Sequence, residues 1–136
     1  MFCFNQGGIV SAENNRGIIT ANGHSFADPA KKTENCNFAI LSSIHFTEPF
    51  DQPTEYAENI SRMANMIGNG NVIVQRFGDL IRGRRTNEHR LAQNSVRPTL
   101  KATPGDISLV LPHRILTNII ETIYALDKVA KATASD

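Results

Sequence analysis

GGIVSAENNRGIITA, residues 7–21, decides the fold class. Gly7 to Ala12 and Gly17 to Ala21 are short β-rich runs, joined by Glu13-Asn14-Asn15-Arg16-Gly17. Asn and Gly tolerate the positive φ that tight hairpins need, so the stretch is expected to form a β-hairpin. Upstream, MFCFNQ is strand-like from its first residues, as though the chain started in the middle of a sheet. Downstream, a loop at Asn22-Gly23 and Asp28–Lys32 leads to Asn37–Phe46. There Phe38, Ile40, Ile44 and Phe46 alternate with Ala39, Leu41, Ser43 and His45, a period of two that predicts a strand. Both of its faces carry apolar residues, which places it centrally in a sheet of roughly four or five antiparallel strands, a partial barrel.

The second half changes texture. Asp51 or Gln52 caps a helix with Pro53 near its first position. Tyr56, Ile60, Met63, Ala64 and Ile67 give it an apolar stripe, and Gly68 stops it. Asn71–Gln75 reads as a short β run, Gly78–Arg82 as a helical turn, and Gly83–Lys101 as a long loop with local structure. Thr103-Pro104-Gly105-Asp106 looks like a capping arrangement, with Thr103 as the cap of a short helix reaching Leu111. Pro112 opens a last helix striped by Leu116, Ile119, Ile120, Ile123 and Leu126. The fold class is therefore α+β, one domain over residues 1–130, with 131–136 expected to fray.

Composition excludes several functions. Fourteen basic against thirteen acidic residues leave a net charge of +1, so no global field recruits nucleic acid or a membrane. No run approaches the roughly 18 apolar residues of a membrane-spanning helix. Trp is absent and aromatics make up 7%, too sparse for a single-strand stacking platform. Cys3 and Cys36 could form one bridge, but nothing else signals an oxidising compartment, so reduced thiols in a cytoplasmic protein are expected.

Few motifs carry chemistry. Gly7-Gly8 and Gly68-Asn69-Gly70 are not dinucleotide fingerprints, because neither follows a strand and opens a helix as G-x-G-x-x-G. No complete Rossmann unit and no phosphate-binding G-x-x-x-x-G-K-[ST] loop is present. His24, His45, His89 and His113 are dispersed, no pair has the spacing of a helical metal clamp, and no metal site is expected. Cys3 lacks an orienting partner for nucleophilic work. The basic cluster Arg76, Arg82, Arg84 and Arg85 lies in QRFGDLIRGRR, where Phe77, Leu80 and Ile81 can anchor the segment. It reads either as an anion- or protein-docking surface or as a solvated face with Arg76 or Arg82 paired to Asp79.

Four segments in order resemble a family of bacterial FAD-dependent dehydrogenases, distant relatives of aminoacetone-oxidase-like flavoproteins. FCFNQGGIVSA resembles the family's F-C-x-C-P-G-G-x-V, and IITANGHSFADPAKKTENCNFAILSSI resembles its V-T-N-G-M-S … N-x-N-x-A-L-L-V strand pair. VIVQRFGDLIRGRR is similar to P-x-Q-R-x-G-D-x-L-x-G-R, and VRPTLKATPGDISLVLP to T-x-x-D-L-x-x-x-L-P. The last helix, ending ALDKVA, is similar to the stretch before a P-G that leads back to the flavin domain.

The resemblance implies an inserted substrate or cap domain, excised from the middle of a longer flavoprotein, with Met1 an initiator at the cut. FAD would belong to the parent and to a lobe of the same polypeptide on either side. The isolated chain would bind no FAD, and hydride transfer between FAD and a small-molecule substrate would be the parent's reaction. Gly7 and Gly8 become candidates for close approach to the flavin, and Arg76, Arg82, Arg84 and Arg85 for substrate or anion binding; no catalytic residue is assigned. The family's second cysteine is Asn5 here and its proline is Gln6, which removes any paired-thiol role for Cys3.

Overall fold

A computed structural model describes residues 2–135; Met1 and Asp136, and with them the initiator reading and the very end of the tail, lie outside the described residues. The element order is β1 (Phe2–Gln6), β2 (Ile9–Asn15), β3 (Ile18–His24), β4 (Cys36–Ala39), α1 (Pro53–Ile67), β5 (Val72–Val74), α2 (Phe77–Ile81), α3 (Glu88–Ala92), β6 (Ala102–Pro104) and α4 (His113–Val129). The class is α+β, as expected. The strands do not merge into one sheet, however, and no closed barrel forms. They make two antiparallel ladders, β1–β4 and β2–β3, and one parallel pair, β5–β6.

The hairpin forms with a tighter turn than the sequence suggested. Asn15 pairs with Ile18, leaving Arg16-Gly17 as a two-residue loop. Both have positive φ, 53° and 83°, which matches the twist of a right-handed ladder. Asn14 Oδ1 accepts from Gly17 N at 2.9 Å and closes the turn.

Each outer edge of this hairpin is capped by one side chain. Asn65 of α1 donates to Ile19 O at 2.8 Å and accepts from Ile19 N at 2.7 Å. Thr99 does the same for Val10, donating to its carbonyl and accepting from its N–H, both at 2.7 Å. An edge residue whose donor and acceptor are both used offers no template for another strand. These contacts also dock α1 on β3 and the 93–101 segment on β2.

The expected strand Asn37–Phe46 is shorter and earlier, Cys36–Ala39. Its partner β1 ends the ladder at Phe2, opposite Ala39, so no described residue lies across from Ile40 onward. A strand without a partner leaves its backbone groups to water, and alternation alone cannot hold it. Residues 40–52 are irregular, His45 is exposed, and Phe46, Phe50 and Tyr56 gather at centroid distances of 4.5–5.8 Å, Tyr56 edge to face with both phenylalanines and the two phenylalanines tilted at 51°.

The helices fall where caps and stripes put them. Gln52 and Gly68 flank α1 with Pro53 in its first turn, and Pro112 precedes α4. One capping expectation fails. Ala102–Pro104 is drawn into β6 by parallel pairing with β5, and Thr103 donates its hydroxyl to Gly68 O at 2.6 Å instead of capping. Asp106 takes the cap, accepting from Ser108 N at 3.0 Å at the head of a single 3-10 turn, Ile107–Leu109. Residues 131–134 form turns, with Ala134 N donating to Asp127 Oδ1 at 3.2 Å.

Little apolar surface is fully enclosed. Among the described residues only Ile18 and Val110 are buried large apolar side chains, and α1 and α4 contain no buried residue. Phe4, Leu41, Met66 and Val129 are more than half exposed. A domain of this length ordinarily hides much more of its apolar surface.

Candidate functional site

A half-open cleft of about 730 Å³ separates the N-terminal ladders from the β5–β6 unit. Gly8, Val10 and Cys36–Phe38 form one wall, and Val72–Phe77 the other. The 94–100 segment and residues 131–135 complete the rim. The strap at 94–100 holds its place through Thr99 on Val10 and through Asn35 Nδ2, which donates to Arg97 O at 3.3 Å. A smaller cavity of about 250 Å³ lies between β3, α1 and Val110.

Of the residues singled out from sequence, Gly8 and Arg76 meet at this cleft. Gly7 is buried beside it with φ +67°, and a Cβ there would lie 2.9 Å from Lys32 Cβ. Gly8 is also required by packing. Asn5 donates to Asn37 Oδ1 at 2.9 Å, Asn37 donates to Ile9 O at 3.2 Å, and Gly8 and Gly23 lie flat against that amide pair. Internal contacts thus account for both glycines at the start of β2.

Arg82, Arg84 and Arg85 sit elsewhere, on the turn after α2. Asp79 organises that turn. It is fully buried, and its Oδ1 accepts from Arg84 Nε at 2.6 Å. Its Oδ2 accepts from Arg90 Nε at 3.0 Å and from the Thr86 hydroxyl at 2.8 Å. Thr86, also fully buried, accepts from Arg76 N at 2.9 Å, and its own N–H donates to Gly105 O at 3.0 Å. Arg90 Nη2 reaches Arg85 O as well. Burial pushes the Asp79 carboxyl up, but the hydrogen bonds from Thr86, Arg90 and Arg84 outweigh it and bring the pKa down to about 2.

The partners of Asp79 differ from those the sequence suggested. α2 stops at Ile81 and Gly83, at φ +61°, folds the chain back so that Arg84 returns over Asp79. Arg82 instead donates to Gly78 O at 3.1 Å, and Arg76 faces the cleft. Arg90 and Thr86 carried no sequence signal, because their roles arise from a fold-back across eleven residues. Asn94 also lines the cleft.

Among the described residues the parallel strand pair lacks the glycine-rich turn of a dinucleotide site. β5 and β6 are parallel and joined through α2 and α3, the arrangement on which dinucleotide sites are built. But the strand-to-helix turn reads Gln75-Arg76-Phe77, with no glycine for close phosphate approach, and α2 has five residues. Gln75 is turned away, accepting from Ile107 N at 2.9 Å and donating to Arg84 O at 2.9 Å. Among the described residues no group of three or more His, Cys, Asp or Glu could hold a metal, and no helix is long and apolar enough to cross a membrane.

No curated protein matches the chain. One family model does, described as FAD-dependent protein, C-terminal domain-like, and its match runs over residues 1–136. The chain belongs to the family of FAD-dependent protein C-terminal domains.

Proposed function

We propose that this domain is the substrate-side cap of a flavin-dependent oxidoreductase, with the FAD-binding lobe of the same polypeptide as its partner and a small molecule as substrate. The observation that carries this is the half-open 730 Å³ cleft in a family of FAD-dependent proteins, in a sequence with no dinucleotide-binding glycine motif. A substrate cavity that is open on one side needs a second wall, and a flavin carried by a neighbouring lobe supplies both wall and redox chemistry. The chain's own residues then exclude water from the reacting pair and orient the substrate through polar groups at the cleft, Arg76 among them. The exposed apolar side chains, Met66 at 72% and Val129 at 84%, supply surface for packing against that lobe. Exposed free thiols at Cys3 and Cys36 suit a reducing cytoplasm.

The chain has no Trp, which gives a direct test. Val96 lines the cleft and is 58% exposed, so Val96→Trp adds an indole with little risk to folding. In the full-length flavin-loaded protein, flavin emission should fall through contact quenching, while the same change at Arg85, away from the cleft, leaves it unchanged. Equal emission in both variants would remove the cap reading. The isolated chain should also stay colourless after dialysis against FAD; a yellow product would show a flavin site that this reading denies.

The basic cluster behaves as internal wiring at Arg84 and as exposed surface at Arg82 and Arg85. Arg84→Ala should cost about 0.5–1 kcal/mol in urea unfolding, because its side chain is 47% exposed. Arg85→Ala should cost nothing measurable. A free-standing anion module predicts the reverse pattern: lost affinity for inorganic phosphate in the Arg82, Arg84 and Arg85 to Ala variant, with Arg84→Ala no less stable than the parent.

A further inference from the structure

Residues 36–47, CNFAILSSIHFT, run on from β4 without a charged residue or a proline. Pairing is described only as far as Ala39, opposite Phe2. Beyond that point one strand-like property persists. Ile40, Ser42 and Ile44 are half-buried, whereas Leu41, Ser43 and His45 are exposed, Leu41 at 73%. A period of two in exposure is the pattern of an extended segment lying with one face on the body of the domain. Ser42 Oγ accepts from Asn118 Nδ2 at 3.2 Å, which ties the segment to α4. No backbone N–H or C=O from Leu41 to Phe46 is bonded to another described residue.

The other ladder is treated differently. Thr99 and Asn65 close the outer edges of β2 and β3. An edge left open is ordinarily blunted by a charge or a proline, and residues 40–46 carry neither. An extended, uncharged edge of this kind accepts one more strand through main-chain hydrogen bonds. Because β1 and β4 are antiparallel, their register sets each position before Phe2 opposite one after Ala39.

We propose that residues 41–46 pair with the strand through which the flavin-binding lobe leads into β1, antiparallel to them and with an apolar residue opposite Ile44. The inference rests on the reading that this lobe belongs to the same polypeptide. It adds how the two parts are joined: through a shared ladder as well as the covalent chain. Such a ladder fixes the angle between the lobes, which a single extended linker cannot do.

Hydrogen exchange, read residue by residue, compares the full-length flavin-loaded protein with the 136-residue chain. In the shorter chain the amides of residues 41–46 should exchange as in an unstructured peptide. In the full-length protein every second one should exchange at least about tenfold slower, because alternate N–H groups of a strand face one neighbour. His45→Cys, combined with a cysteine at the position the register sets opposite it, should cross-link on mild oxidation. Moving that second cysteine by one place turns it to the other face and should prevent the bond. Ser42 and Ser43 direct their N–H groups to opposite edges, so at least one of Ser42→Pro and Ser43→Pro should restore fast exchange.

Fast exchange throughout 41–46 in the full-length protein, uniform slowing of every amide, or slowing without the cross-link would overturn the proposal. Slowing in the 136-residue chain that grows with its concentration would assign the edge to a second copy, and would overturn it too. The Val96→Trp measurement separates this outcome from the cap reading. A quench with fast exchange at 41–46 removes the shared ladder and keeps the cap; alternate slowing with the cross-link but no quench does the reverse.

Discussion

Asp79→Ala is expected to lower the unfolding free energy by about 3 kcal/mol, the largest loss of any polar substitution in this chain. Three donors lose their acceptor at once, and the Thr86 hydroxyl, fully buried, has no route to water. Arg90 and Arg84, at 25% and 47% exposure, can turn outward, which keeps the loss at the lower end for a broken buried pair. Urea unfolding measures it directly. A change below about 1 kcal/mol would mean that the turn after α2 is held by its backbone contacts alone.

The same carboxylate sets an acid limit. Its folded pKa of about 2 lies below the ordinary value of 3.8, so the folded state favours the ionised form. The stability this contributes is fully present above the ordinary value and is lost as pH falls from about 4 toward 2. The difference between parent and Asp79→Ala should therefore be constant at neutral pH and narrow over that window. A gap that stays constant down to pH 2 would contradict the depressed pKa.

Gly8→Ala is the second large effect, about 2–3 kcal/mol in the isolated chain, with no flavin present. An added Cβ would press into His24 O, a backbone atom opposite Ile9 in the β2–β3 ladder, and would sit 2.8 Å from Asn5 Cβ. Neither neighbour is a flexible side-chain tip, so the ladder itself must shift. Gly17→Ala is the control: its φ of +83° is strained for Ala, but no atom lies within 4 Å. It should cost only about 1 kcal/mol. Thermal melting of the two variants tests the contrast. If Gly8→Ala melts like the parent, packing does not explain the glycine, and close approach to a cofactor regains priority.

The α+β class, the hairpin and both long helices could be read from the sequence because each depends on local chemistry. Asn14, Arg16 and Gly17 make a turn within four residues, and Pro53, Gly68 and Pro112 bound the helices by removing or freeing backbone options. The family resemblance was legible too, since it rests on ordered short motifs. What failed was whatever needed a partner. Residues 40–46 alternate like a strand but lie opposite nothing in the β1–β4 ladder. Thr103–Asp106 reads as a cap until β5 recruits Ala102–Pro104.

The site divides in the same way. Gly8 and Arg76 were visible as residue types, and the sequence by itself showed neither a G-x-G-x-x-G nor a G-x-x-x-x-G-K-[ST] motif. Only the tertiary structure decided that these two residues share a cleft and that Asp79 binds Arg84 and Arg90. Turns and caps are set over a few covalently linked residues. Buried hydrogen bonds and cleft walls join residues tens of positions apart, and no local propensity encodes them.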